Sequence, residues 1–281
     1  MNPMSSVAAD NVTPRPGSSR LAMPWVRARK VIAPLIFIAA GLVVWEMWLR
    51  SAPVSRAVIV PPSAIFATFR DNYELLIMHA WSTVTEIVLG FALSAAVGIA
   101  LGTLIAMSKW TRQAFYPNLV FFQLIPKAAV APLFVLWLGL GTPSRVAFAV
   151  FMSFFPIALA TATGLENTRP DTIRLCRSLT ATRWQTFTQV RFPFAIPHIF
   201  TGLKVGMTMS MIGVIVGEFI SAQQGLGYVI MFASSAGESA PLYAALLLLA
   251  ALGIGLYGCV VLAELLAQRW YGAPFVSEGF A

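Results

Sequence analysis

The side chains able to do chemistry are few and scattered along the 281 residues. His79 and His198 are the only histidines, Cys176 and Cys259 the only cysteines, and their positions give no metal-ligand spacing. No Gly-rich Walker A sequence occurs, so the chain alone is not expected to hydrolyse ATP. No acid pair or nucleophile–base set stands out, and neither an enzyme activity nor a cofactor is expected. What remains is charge in an apolar setting. Glu86 and Glu218 lie within long apolar runs, while Glu46 and Glu264 lie near the ends of others. Lys127 sits near the middle of a further run, between Pro126 and Pro132, with Gln123 one helical turn before it. A charge near a bilayer centre costs about 3 kcal/mol on insertion scales, so Lys127 needs a partner or water. Gln123, Lys127, Glu86 and Glu218 are therefore candidates to line a polar pathway, with Lys127 paired to one glutamate or meeting an anionic solute. The competing reading is a proline kink that lets Lys127 reach an interface.

The elements that position these residues are membrane helices. The composition is 58% hydrophobic and 11% charged, with a mean hydropathy of +0.77, more apolar surface than a soluble domain of this length can bury. Apolar runs at about 31–49, 82–107, 114–140, 145–165, 199–220 and 242–267 each approach the roughly 20 residues needed to cross a 30 Å core. The fold class expected is all-α, with about six transmembrane helices in residues 31–271. Residues 1–30 read as a disordered cytoplasmic tail rather than a cleaved signal, and 272–281 as a C-terminal tail. The net charge of +8 would suggest nucleic acid in a soluble chain. Here topology explains it: fourteen Lys and Arg fall on one side of the runs, against Arg50, Arg56, Arg70 and Arg145 on the other. Both termini and the basic loop 168–204 are thus expected in the cytoplasm, in a multi-pass protein of the bilayer with no nucleic-acid partner. Between the first two runs, Phe66, Phe69, Tyr73 and Leu76 suggest one interfacial helix. Glycines such as Gly90, Gly98, Gly102, Gly202, Gly206, Gly213 and Gly217 suit close helix contacts.

The loop from Thr168 to Lys204 reads as two short amphipathic helices joined by a bend. Thr168 can cap the first, with Ile173, Cys176 and Leu179 on one face and Arg174 and Arg177 turned away. Thr182 and Gln185 form a capping box for the second, whose stripe is Trp184, Phe187 and Val190, with Pro193 and Pro197 ending the unit. Such a pair can lie on lipid headgroups or plug a groove in a soluble partner.

The same stretch resembles the EAA loop of bacterial ABC importer permeases, whose pattern is Glu-Ala-Ala, three residues, Gly, nine residues, Ile-x-Leu-Pro. Val190-Arg191-Phe192-Pro193 matches the tail. Arg174-Leu175-Cys176 replaces Glu-Ala-Ala, and Thr180 stands where Gly is usual. The segments VPPSAIFATF, FFQLIPKAAVAPLFVLWLGLG and GLKVGMTMSMIGVIVGEFISAQQGLGYVI are similar to the nitrate/sulfonate/taurine branch. The resemblance spans about Val31 to Tyr271. It implies a MetI-like permease fold with a cytoplasmic coupling loop, in a bacterial inner membrane. The implied partners are an ABC ATPase subunit, a substrate-binding protein and a second permease copy, in a homodimer. It implies an ATPase contact through Arg174, Arg177, Leu179, Thr180, Arg183, Trp184 and Phe187, with Leu179, Trp184 and Phe187 as apolar anchors. Gln223 to Tyr228, by composition a turn, would shape the outer mouth. Solutes implied include nitrate, sulfonates, taurine and bicarbonate, or thiamine-pyrimidine precursors and riboflavin, since IPKAAVAPLF and AQQGLGYVIMFASS also suit that sub-branch. A stand-alone secondary transporter or channel is the alternative, and it would be expected to show paired broken helices where only one broken run is seen.

Overall fold

The computed structural model describes residues 24–51, 59–221 and 223–271; Arg15, Arg20, Arg56, Ala222 and the expected tail 272–281 lie outside them. In chain order the helices are α1 (Pro24–Ser51), α2 (Pro62–Asp71), α3 (Tyr73–Met107), α4 (Lys109–Leu124), α5 (Ala131–Leu138), α6 (Thr142–Glu166), α7 (Pro170–Ser178), α8 (Arg183–Thr186), α9 (Phe192–Ser221), α10 (Leu226–Ala236) and α11 (Ser239–Tyr271). A 3-10 turn, Lys127–Val130, precedes α5, and a π-helical segment, Phe187–Arg191, joins α8 to α9. No strand occurs among the described residues.

The chain divides into two compact units, residues 1–53 and 54–281. The first contains α1, whose 28 residues carry the first apolar run and begin at Pro24, inside the stretch expected as tail. Its Glu46 accepts from Arg50 at 2.7 Å, one helical turn apart.

The second unit is built around α6. Small residues on α3 and α9 let both backbones press against it, as the glycine spacing predicts. A Cβ at Gly102 of α3 would lie 2.5 Å from the Ala158 carbonyl oxygen, and one at Gly213 of α9 would lie 2.7 Å from the Ala149 Cα. Ile157, fully buried, fills the space left by Gly98 on one side and Gly206 on the other. Dispersion and close packing replace the hydrophobic effect as the driving force in lipid, so these glycines are where the fold is held.

Four helical stretches, 73–107, 142–166, 183–221 and 239–270, are long and apolar enough to cross a membrane. The span expected at 114–140 is not one rod: α4 and the segment Lys127–Leu138 meet at 91°. Pro126 cannot donate a backbone hydrogen bond and pushes Ile125 to an extended backbone, φ −68° and ψ 133°, which ends α4. Three expectations are corrected. The outer stripe divides at Asn72, so α2 is a separate helix while Tyr73 and Leu76 begin a 35-residue span. Pro193 and Pro197 do not end the loop unit. Pro193 is in the first turn of α9, where its missing N–H costs little, and α9 runs on through Pro197. Residues 226–228, expected to belong to a turn, instead begin an apolar helix that runs to Ala236, and the bend is confined to 223–225.

Candidate functional site

Three places gather the residues that sequence reading singles out. The first is the basic loop at one end of the unit. The capping box is present: the Thr182 N–H donates to Gln185 Oε1 at 2.8 Å, and the Gln185 N–H donates to Thr182 Oγ1 at 3.2 Å. Thr168 does not cap α7. Its hydroxyl is buried and donates to the Leu165 carbonyl at 3.2 Å, because α6 continues to Glu166 and the chain turns only afterwards.

Between α7 and α8 the Ala181 N–H donates to the Cys176 carbonyl at 3.0 Å and the Thr180 N–H to the Arg177 carbonyl at 3.1 Å. These are the paired bonds of a Schellman C-cap, and Thr180 takes the left-handed position at φ 57°. Gly237 occupies the same position after α10, at φ 72°, with the Glu238 N–H bonded to the Ala233 carbonyl at 2.8 Å. Thr180 is the one non-glycine residue with positive φ among the described residues. The bend therefore has the geometry glycine favours, built with a β-branched residue. Left-handed backbone costs an L-residue about 1–2 kcal/mol, partly returned as unfolded-chain entropy when glycine is introduced. Thr180→Gly is expected to stabilise the bend by about 1 kcal/mol, slowing hydrogen exchange of the 176–186 amides about fivefold. Faster exchange in that variant would show instead that the Thr180 hydroxyl, which donates to the Leu179 carbonyl at 2.7 Å, holds the bend.

The loop side chains divide into two sets. Leu175, Leu179 and Trp184 project, 58%, 70% and 69% exposed. Phe187 is half-buried and packs with Leu165, Ala195 and Ile199 at the end of the bundle. Trp184 stacks on Phe187 at 5.9 Å between centroids, and Phe187 meets Phe192 at 6.1 Å. Arg177 lines the same cleft as Ile173, one turn before it, rather than turning away. Arg174 lies 3.8 Å from Asp171 on an open surface, a pair of little energetic weight.

The second place is the opposite end of the unit, where Glu86 and Glu218 are buried between helices. Arg145 of α6 donates to both oxygens of Glu86 on α3, Nε to Oε2 at 2.7 Å and Nη2 to Oε1 at 2.5 Å. Thr142 adds a hydroxyl donor to Glu86 Oε1 at 3.0 Å. Glu218 of α9 accepts from the Thr83 hydroxyl at 2.8 Å and from the Gly227 N–H at 2.7 Å. The Leu226 N–H donates to Thr83 Oγ1 at 2.8 Å and the Gly225 N–H to His79 Nδ1 at 3.0 Å. The N–H groups of the N-cap Gly225 and of the first two residues of α10 are thus satisfied by side chains of α3 and α9, and the helix dipole favours negative charge at Glu218 there. The two glutamates are packed inside the subunit and pair with these groups, not with Lys127.

The third place is the break before α5. Lys127 Nζ lies 3.5 Å from the Met152 carbonyl and 4.9 Å from the centre of the Phe155 ring, near the middle of the 25-residue α6. The ammonium therefore lies beside the middle of α6. Its partners are a carbonyl and an aromatic face, and no carboxylate pairs with it among the described residues. Gln123, one turn earlier on α4, is exposed.

Sequence reading missed the Glu86–Arg145 pair, having placed Arg145 among outer loop charges, and also the Lys204–Glu264 pair at 2.5 Å, which ties α9 to α11. The available signal was depth: a glutamate inside a span requires a cation of comparable depth, and Arg145 opens the neighbouring run. Among the described residues no group of His, Cys, Asp and Glu suits a metal ion.

Residues 98–269 match the family described as binding-protein-dependent transport system inner membrane component. The chain belongs to this family. It is a permease of the ABC transporter type, and its similarity to curated members extends over most of its length. It is 31% identical to the formylaminopyrimidine transport permease protein ThiX of Halalkalibacterium halodurans over 87% of this chain and 98% of that one. It is 30% identical to a probable ABC transporter permease protein of Haemophilus influenzae, over 81% of this chain and 93% of that one. The riboflavin transport system permease protein RibX of Chloroflexus aurantiacus is 31% identical over 82% and 86% of the two chains. In fold the permease is similar to a chain of the MetNI methionine ABC transporter in an inward-facing conformation. The TM-score is 0.62 at 17% identity, over 71% of this chain and 99% of that one. The MetI-like, all-helical class expected from sequence is therefore the class found.

Proposed function

We propose that this permease forms half of a solute pathway whose opening is driven by an ABC ATPase docked on the loop 168–204. The observation that carries the reading is the projection of Leu175, Leu179 and Trp184 from a capped helix–bend–helix at the basic end of the unit. Exposed apolar side chains on a rigid loop suit a groove in a soluble partner. Arg174, Arg177 and Arg183 surround them, and Thr180 sets the angle between the two helices. The pathway itself is completed by a second copy, in a homodimer, with solute delivered by a separate binding protein.

Both termini and the loop face the cytoplasm in this reading, supported by the concentration of Lys and Arg at the loop end. An impermeant thiol reagent added to intact cells should accordingly leave Cys176 unlabelled; labelling without permeabilisation would reverse the orientation.

Lys127 and Gln123 are proposed to face the pathway. An ammonium at mid-depth without a carboxylate partner retains hydrogen-bond donors for water or solute, and the break beside it is tolerated in lipid where it lines protein or a wet cavity. Glu86 and Glu218 instead hold the outer end together. The decisive measurement is ATP-dependent uptake by the reconstituted permease, ATPase and binding protein. Lys127→Met, which keeps length and loses charge, should lower uptake at least about tenfold at unchanged assembly, the scale of one lost charged hydrogen bond. Wild-type uptake by that variant would remove Lys127 from the pathway. Uptake without any ATPase would favour a stand-alone transporter. The solute class proposed is a small polar molecule, of the heterocyclic or oxyanionic kinds that the relatives' names suggest.

A further inference from the structure

Beneath the loop is a cleft of about 530 Å³ lined by Met107, Lys109, Ile173, Arg177, Ala181, Arg183, Thr186, Phe187 and Arg191. Four of these side chains are cationic and none is acidic. Two acidic groups of the same region already have partners: Glu166, in the adjoining cleft, accepts from Arg112 at 3.2 Å, and Asp171 faces Arg174. No carboxylate pairs with Lys109, Arg177, Arg183 or Arg191 among the described residues. An adjoining cleft of about 200 Å³ shares Lys109 and Arg191 and adds Ser108 and the Arg112–Glu166 pair, so the unpaired positive charge is concentrated in the larger cleft.

The convergence comes from four separate elements. Lys109 opens α4, Arg177 and Arg183 flank the Thr180 bend, and Arg191 closes the π-helical segment. An α-helix in place of that segment would rotate Arg191 relative to Phe187, and π-helical turns frequently mark functional positions. Arg191 is half-buried, while Met107, Ile173 and Phe187 give the cleft an apolar wall. Trp110, beside Lys109, is 85% exposed, as an aromatic ring at the lipid–water boundary is.

We propose that this cleft binds a phosphate group, carried by an anionic phospholipid headgroup or supplied as a free oxyanion. Guanidinium forks match phosphate oxygens in geometry as well as charge. The apolar wall and the adjacent Trp110 suit the glycerol and upper acyl region of a lipid. Basic pockets between helices at the cytoplasmic face of a membrane are the kind that hold such headgroups. Of the four cations, Arg177 and Arg183 are also proposed to meet the ATPase, whereas Lys109 and Arg191 are not, so substitutions at these last two let either proposal fail while the other stands.

The test uses the full chain in neutral detergent, titrated with short-chain phosphatidylglycerol, short-chain phosphatidylcholine or inorganic phosphate, and read by tryptophan fluorescence and by lipid adducts in native mass spectrometry. Phosphatidylglycerol should bind at least about tenfold more tightly than phosphatidylcholine, since each nearby cation contributes about fivefold. Lys109→Gln/Arg191→Gln should weaken it about twenty-five-fold on the same scale, and Arg70→Gln, at the other end of the chain's second unit, should not. Inorganic phosphate that competes in the millimolar range identifies a site for the bare oxyanion; lipid binding that phosphate leaves untouched identifies the headgroup. Lys109→Arg/Arg191→Lys, which keeps both charges, should retain the preference and controls for folding. Equal binding of the two lipids by the wild type would overturn the proposal. So would a preference unchanged in Lys109→Gln/Arg191→Gln, or loss of ATPase recovery in that variant with lipid preference intact, which would make the cleft a protein contact.

Discussion

Arg145→Met is expected to be among the most damaging single substitutions in this permease. It leaves Glu86, 2% exposed, as an uncompensated carboxylate between α3 and α6. Removing one member of a buried ion pair costs about 3–5 kcal/mol, most of it the penalty on the group left behind. The fold has little else to absorb this, because Thr142 supplies only one neutral donor to the same carboxylate. Replacing both partners removes the stranded charge, and apolar substitutes for buried pairs are often neutral in stability. Thermal unfolding in detergent should therefore show a large loss for Arg145→Met and recovery of most of it in Glu86→Leu/Arg145→Met. Equal loss in the single and double variants would mean that the pair contributes geometry rather than charge compensation.

That pair also marks the boundary of what could be read from the chain. Helix existence was legible because length and hydropathy suffice for it: α6, α9 and α11 lie where apolar runs predict spans. The Thr182–Gln185 capping box was legible because its bonds close within three residues. The bend was legible from the break in the apolar pattern between the two loop helices, and the structure supplies its reason, a left-handed Thr180 closing a Schellman cap. Glu86 and Arg145 are 59 residues apart, and no local pattern relates them. The α10 cap was equally hidden, since the N–H groups of Gly225, Leu226 and Gly227 are satisfied from α3 and α9 rather than by a Ser, Thr, Asp or Asn at the N-cap. Element boundaries failed where tertiary context overrode a local stop signal. Pro193 reads as a helix end, but the preceding π-helical segment frees the register and lets Pro193 enter the first turn of α9.

The division of the loop side chains makes Trp184 the residue on which docking should depend most. It is 69% exposed in the isolated chain, yet its ring is already ordered by stacking on Phe187, which is packed against Leu165 and Ile199 of the bundle. An aromatic held in place loses little side-chain freedom when a partner covers it, the property of an interface anchor. It is also mechanically connected: Trp184 to Phe187 to the α6 and α9 core is an unbroken line of contacts across the π-helical segment. Trp184→Ala should weaken ATPase association by about 2 kcal/mol, roughly thirtyfold, with unchanged thermal stability of the permease alone. Phe187→Ala should do the reverse in the first instance, lowering permease stability by about 3 kcal/mol through the cavity it leaves. Copurification of the ATPase at graded concentrations, alongside unfolding of each variant without it, separates the two effects. If Trp184→Ala retains wild-type ATPase affinity while Phe187→Ala loses it at full stability, the anchor has been assigned to the wrong ring and the loop docks by its packed face.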